Sequence, residues 1–294
     1  MKDLLSEIAR LTKHSPVWPK QTALARVMIT KGEIPQHQLA AVYEPMIGFT
    51  VFGRKTISFG ESTVKAEGPS YYVIPTQVPA TGKVDQAENG QAYLSLGLKI
   101  NKQLLRSLLE DNSRRIQRSE DSQAIFATRA TEEFVSAWVR LLRLLETPED
   151  IPALASVYER EILYRILIGP QGQRLKLASF ETGPQSQIHR AIQWIRENYW
   201  RTLDVRQIAE KSGMAWTTFH RQFKRVTGLS PIQYQKELRL LEARKILVHQ
   251  GLSVREAAFQ VGYESASQFN REYSRHFGSS PAKDAHLIRV ESKL

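Results

Sequence analysis

Two short stretches carry side chains suited to reading a polyanion. Between Trp216 and Thr227, Phe219 and Phe223 recur at the spacing of one helical face, and the opposite face then presents Thr217, His220, Arg221 and Lys224. Short donors and a forked guanidinium can reach base edges in a major groove, whereas a long ammonium suits a phosphate. Further on, Phe269 and Tyr273 mark an inward face and Ala266, Ser267, Asn270 and Arg271 an outward one. The expected base-reading set is therefore Thr217, His220, Arg221, Ser267, Asn270 and Arg271, with Trp216, Lys224, Arg225 and Arg275 on phosphates.

The two stretches are copies of one sentence. Val205, Arg206, Ala209 and Gly213 recur 49 residues later as Val254, Arg255, Ala258 and Gly262. After one inserted residue, Phe219, Arg221, Arg225, Gly228, Ser230 and Pro231 recur 50 residues later as Phe269, Arg271, Arg275, Gly278, Ser280 and Pro281. Each copy has the grammar of a helix-turn-helix: a capped first helix (Asp204, Ser253), a small alanine where the second helix crosses, and a glycine able to take the left-handed turn conformation. Many such shapes bind no DNA, but two basic ones in tandem favour it. Between them, "SPIQYQKELRLLEARKILVHQ" places Pro231 at a helix start and Tyr234, Leu238, Leu241, Ile246 and Leu247 along about eighteen residues, or roughly 27 Å. That length approaches one turn of B-DNA, about 34 Å, so the spacing predicts entry into successive major grooves.

Charge and composition agree. Of the net charge of +11, residues 184–294 hold +8 (18 Lys and Arg against 10 Asp and Glu). The chain's 294 residues suggest two domains, and the weakly periodic, Gly- and Gln-rich stretch ending near residue 183 is the expected linker. The expected domains are 1–182 and 183–294. No cysteine is present, which excludes disulfides, thiolate metal sites and thiol sensors, and fits a reducing compartment. The N-terminal segment spaces Leu4, Leu5, Ile8 and Leu11 as an amphipathic helix and has no apolar run of signal-peptide or membrane-span length, so the expected location is the cytoplasm, with no membrane partner.

The first 182 residues change period partway. Ile47, Phe49 and Val51 alternate, Ile57 and Phe59 repeat the alternation, and "GRK" between them reads as a hairpin turn. "SYYVIP" is a continuous apolar run, and "QAYLSLGLKI" alternates again, with Leu94, Leu96 and Leu98 opposite Tyr93, Ser95 and Gly97. These strands predict a small antiparallel sandwich or barrel. Helices follow at "NKQLLRSLLED", at Thr131–Glu146 with a stripe of Phe134, Trp138, Leu141, Leu142 and Leu145, and at "IPALASVYEREILYRILIG". The Phe134 stripe suits packing on its own domain or a subunit seam.

The C-terminal residues "IAEKSGM", "TFHRQFKRVTGLSPIQYQ", "LRLLEARKIL" and "VREAAFQVGYESASQFNREYSRHFGSSP" resemble the AraC/XylS transcription regulators over about 105 residues. Tyr273–Ser274 stands where that family often has Phe-Lys, and "AKDAHL" follows the final proline where Tyr-Arg is common. "YEPMIGFTVFGRKTISFGE", "YYVIPTQVPATGKV" and "YLSLGLKI" resemble the N-terminal domain of one AraC-type subgroup, although "IGFTVFG" lacks the cysteine of many relatives. The resemblance implies an α+β protein: an N-terminal cupin-like antiparallel β-barrel with a helical hairpin, then an all-α tandem helix-turn-helix domain. It implies double-stranded promoter DNA and RNA polymerase as partners, a small-molecule effector, a homodimer as an allowed state and activation as the family's common mode.

An enzyme is the competing class, because a cupin-like barrel can hold a metal. Such a site needs clustered histidines with a carboxylate, and before residue 188 there are only His14 and His37, in different segments. No phosphate loop or nucleophile elbow is present. No catalytic residue, metal or cofactor is therefore expected. Trp18, His37, Tyr43, Tyr72 and Tyr93 are the candidates for an aromatic effector pocket, against the plainer reading that the tyrosines pack the barrel. A regulator without effector, controlled by a partner protein, stays open.

Overall fold

A computed structural model describes residues 1–17, 20–34, 39–60, 62–112, 125–179 and 184–291. Its N-terminal half is two antiparallel sheets. Strands β1 (Val27–Lys31), β2 (Ala41–Tyr43), β3 (Met46–Phe52), β4 (Arg54–Phe59), β5 (Ser62–Glu67), β6 (Ser70–Ile74), β7 (Val78–Asp85), β8 (Leu94–Lys99) and β9 (Ala127–Arg129) form one sheet in the order β1-β8-β3-β6-β9 and a second in the order β2-β7-β4-β5. The α+β class is as expected, while the barrel is an open pair of sheets without hydrogen-bonded closure among the described residues.

The alternation of β8 assigns its two faces. Leu94, Leu96 and Leu98 join Ile47, Phe49, Val51, Tyr71 and Val73 against a helical layer, whereas Ser95 and Gly97 turn toward the second sheet. The layer comprises α1 (Lys2–Leu11), α2 (Lys102–Asn112), α3 (Glu132–Arg143) and α4 (Ile151–Leu167), followed by α5 (Gly172–Leu177). Thr131 caps α3 by accepting from the Phe134 N–H, and α3 with α4 is the expected helical hairpin. Phe134 stacks on Tyr71 at 4.5 Å and meets Phe49 edge-on at 5.2 Å, so the Phe134 stripe packs on its own domain.

One expectation fails, and the failure matters for the site. "GRK" is not a hairpin: β3 pairs with β6 and β8, while β4 pairs with β5 and β7, so the chain crosses from one sheet to the other at Gly53. Gly53 has φ of +77°, and a Cβ there would stand 2.5 Å from the Asp85 carbonyl oxygen, so only glycine fits the crossing. Lys55, which a hairpin would have left at a solvated turn, consequently lies on the inward row of β4 with Ile57 and Phe59.

The C-terminal half is helical: α6 (Pro184–Glu197), α7 (Val205–Lys211), α8 (Trp216–Thr227), α9 (Pro231–His249), α10 (Val254–Gln260), α11 (Ala266–Phe277) and α12 (Pro281–Glu291). Asp204 and Ser253 cap α7 and α10 as expected, through the Gln207 and Glu256 N–H groups. Ser230 and Gln233 form a capping box at the start of α9, whose 19 residues span about 28 Å. Gly213 and Gly262 turn at φ of +63° and +88°, and Gly228 and Gly278 end α8 and α11 in the left-handed conformation. The residue inserted in the second copy lies in the turn: Ser265 caps α11 where Ala215 gives α8 no side-chain cap.

The turn at 199–201 ties the two copies together. Gln235 and Arg239 of α9 donate to the Tyr199 carbonyl at 2.8 and 2.7 Å and to the Arg201 carbonyl at 2.7 and 2.9 Å. On the other side Gly262 backs onto the Trp200 carbonyl so closely that a Cβ would collide with it.

Candidate DNA-reading face and effector cavity

The second helix of each copy buries the predicted side. Phe219 and Phe223 of α8, and Phe269 and Tyr273 of α11, are inaccessible, and Ala209 and Ala258 are buried at the crossings. Outward, Thr217, Arg221, Lys224 and Arg225 are exposed, as are Ser267, Arg271 and Arg275. Among the described residues none of these five cations has an ion pair or hydrogen bond, in contrast to Arg239 and Arg244. His220 is half-buried beside the half-exposed Trp216 ring, 5.7 Å between centroids. Asn270 is half-buried too, its amide donating to the Ala266 carbonyl at 2.8 Å. Arg275 also lines a cleft with Glu272 and His276 of α11, Lys236 and Glu237 of α9, and Ser58 and Thr81 on the outer face of the second sheet. It therefore stands at the edge of the reading face, where the N-terminal half approaches it. In that cleft burial raises the Glu237 carboxyl to about 7 and lowers the His276 imidazole to about 4, with 3.0 Å between them.

The sequence departures in the second copy prove to be partners. The Tyr273 hydroxyl donates to Asp284 Oδ2 at 2.7 Å, and Arg244 grips the same carboxylate through two bonds of 2.8 Å. A phenylalanine at 273 could not make this bond, and Asp284 belongs to the unusual "AKDAHL".

Between the two sheets lies a cavity of about 260 Å³. Its apolar walls are Met28, Leu39 and Met46 with Tyr43 and Tyr72, the backbone of β8 at Leu96 and Gly97 closes one side, and Lys55, Glu44, Ser95 and Lys99 supply the polar groups. Tyr72 can lie across its sheet because Gly48 opposite has no Cβ for the ring to strike. Burial holds the Tyr43 and Tyr72 hydroxyls above the ordinary phenol range. Two of the five expected pocket residues thus line one cavity. Tyr93 is not among its lining residues: it is buried against the Gly53 crossing, its hydroxyl beside Ser95 and Thr50. Trp18 and His37 lie outside the described residues. Lys55 was missed in the sequence because it reads as part of a turn.

The cavity rim touches the C-terminal half. Glu44 accepts from the Gln77 amide at 2.7 Å and faces Arg196 of α6 at 3.8 Å, and the Gln77 carbonyl accepts from the Tyr234 hydroxyl of α9 at 2.9 Å. Leu229 seals this junction against Gly60, whose missing side chain gives it room. A single apolar cluster runs from Ile57, Phe59 and Val78 through Leu229 to Ile192, Phe219 and Phe223. Among the described residues there is no group of three His, Cys, Asp or Glu able to hold a metal, and no helix is long and apolar enough to cross a membrane.

Comparison with known proteins places this geometry. Residues 23–174 match the model of the AraC-type transcriptional regulator N-terminus, and residues 208–285 match a helix-turn-helix domain. Over 142 residues the chain is 31% identical to the HTH-type transcriptional activator RhaS of Salmonella schwarzengrund and 30% identical to that of Escherichia fergusonii. Each alignment takes in 48% of this chain, which spans about half the length (51%) of those relatives. ToxT from Vibrio cholerae has the same fold at 9% identity: TM-score 0.54 over 89% of this chain and 98% of ToxT, and 0.55 over 90% and 99% in a complex with (E)-4-(8-methylnaphthalen-1-yl)but-3-enoic acid. With more than half its length matched by the family's N-terminal model and a helix-turn-helix domain behind it, the chain belongs to the AraC-type transcriptional regulators.

Proposed function

We propose that this regulator binds promoter DNA sequence-specifically under the control of a small molecule held between its two sheets. The observation that carries the reading is the pair of outward helix faces whose cations have no partner among the described residues while those behind them do. Thr217, His220 and Arg221 read bases in one major groove and Ser267, Asn270 and Arg271 in the next; Trp216, Lys224, Arg225 and Arg275 hold phosphates. The N-terminal unit, residues 1–182, senses the effector, and residues 183–294 bind DNA. Cavity and DNA-binding unit share the Glu44–Gln77–Tyr234 contacts, so an occupant that shifts Glu44 biases the seating of α9. Activation through RNA polymerase, by analogy with the RhaS activators, and a cytoplasmic homodimer complete the proposal.

The test is binding of the purified protein to fragments from its own upstream region and to random DNA at two salt concentrations. A site held at least a thousandfold more tightly than random sequence supports the reading, at the lower bound of about 10³ for specific recognition. Equal affinity everywhere, vanishing with salt, refutes it.

A further inference from the structure

A buried ammonium without a counter-charge is among the costliest arrangements a fold can hold. Lys55 is in that position. It is 7% exposed, on the cavity wall, and among the described residues its ammonium has neither a hydrogen bond nor an ion pair. Its one directed contact is the Tyr43 ring, 5.1 Å from Nζ to the centroid. Burial alone acts on its pKa, lowering it to about 8, so the group is still mainly a cation at neutral pH. The rim carboxylate of Glu44 makes no ion pair with it and is held instead by Gln77 and Arg196, and Lys99 adds a second positive charge to the lining.

The remaining wall is apolar and adaptable, with Met28, Met46, Leu39 and the faces of Tyr43 and Tyr72. What the cavity lacks is one negative charge beside Lys55 and an apolar body behind it. We propose that the occupant is a small amphipathic monocarboxylate whose carboxylate pairs with Lys55 and whose hydrocarbon or aryl body lies between Met28, Met46 and Tyr72. The volume, just below the usual range of about 300–1,000 Å³, limits that body to a short chain or a single ring. A phosphate is disfavoured because the lining has no arginine fork, the group that grips such an anion bidentately.

The proposal rests on the N-terminal unit being the effector domain, and its test separates the two. The full-length protein is titrated calorimetrically with straight-chain monocarboxylates from butanoate to decanoate and with phenylacetate, each beside its neutral primary amide. The expected result is one or more acids binding at least tenfold more tightly than the matching amide, and loss of that preference in Lys55→Met and Lys55→Gln, both folded by circular dichroism. Equal affinity of acids and amides across the series, or an acid preference that survives in both variants, overturns the proposal. Promoter affinity is measured separately with and without the best acid. Acid binding through Lys55 that leaves DNA affinity unchanged supports the ligand class and refutes effector control; site-specific DNA binding with no acid preference does the reverse.

Discussion

Arg221→Ala and Lys224→Ala, compared on two DNA sequences, test the division of labour on α8. Both side chains are exposed and without intramolecular partners among the described residues, and alanine is the best helix former, so neither change removes anything the fold uses. The effect on binding is therefore read without a stability correction. If Arg221 makes a bidentate base contact, its loss costs about 1–3 kcal/mol on the cognate site, or about 5- to 150-fold, and much less on random sequence. Lys224 on a phosphate weakens both sequences alike and reduces the salt slope by about 0.9. Raising salt from about 50 to 200 mM should then cost the wild type roughly 3.5-fold more affinity than Lys224→Ala. Fluorescence anisotropy with a labelled upstream duplex and its scrambled counterpart measures both quantities, and overlapping melting curves check the fold. Equal losses on the two sequences for Arg221→Ala, or an unchanged slope for Lys224→Ala, refute the assignment.

Four further outcomes are expected. Tyr234→Phe removes the hydrogen bond to the Gln77 carbonyl, worth about 0.5–1.5 kcal/mol, and should speed hydrogen exchange around 77–80 and in α9; unchanged exchange would show that this contact does not hold the halves together. Asp284→Ala leaves the mostly covered Arg244 without its carboxylate and should destabilise by about 3 kcal/mol in urea melts, whereas Tyr273→Phe should cost only about 1 kcal/mol. Gly213→Ala, at positive φ with only ordinary contact to the Gln187 side chain at 3.7 Å, should cost about 1–2 kcal/mol; Gly262→Ala, at the same turn of the second copy, should cost more because the new Cβ meets the Trp200 carbonyl. For Lys55, whose pKa falls from 10.5 to about 8 on folding, the unfolded chain holds a proton between those values that the folded protein has released. Stability should therefore rise with pH across that window, by roughly 3 kcal/mol, and urea melts of Lys55→Met should lack the rise.

What could be read from the sequence was what local rules encode. Asp204 and Ser253 announced two helix starts, Pro231 a third, and Gly213 the turn, because caps and turns act within a few residues of themselves. The faces of α8 and α11 followed from the recurrence of Phe219/Phe223 and Phe269/Tyr273, which burial alone enforces. The misread features depend on partners distant in the chain. The register of β4 with β7 rather than β3 decided that Lys55 points inward and that Tyr93 packs beside Gly53, and no periodicity within "FGRKTISF" distinguishes the two outcomes. Likewise Tyr273 and Asp284 each looked like an isolated departure, and only the fold of α12 onto α11 brings hydroxyl and carboxylate to 2.7 Å.

The turn at 199–201, clasped by Gln235 and Arg239 on one side and by Gly262 on the other, makes the tandem units a caliper with a locked hinge. A caliper of fixed opening measures phase along the double helix as well as sequence. One base pair added between the two half-elements would rotate the second by roughly 35° out of reach of α11 while leaving every contacted base intact. Discrimination would then come from spacing, so promoters carrying correct half-elements at the wrong interval would be ignored.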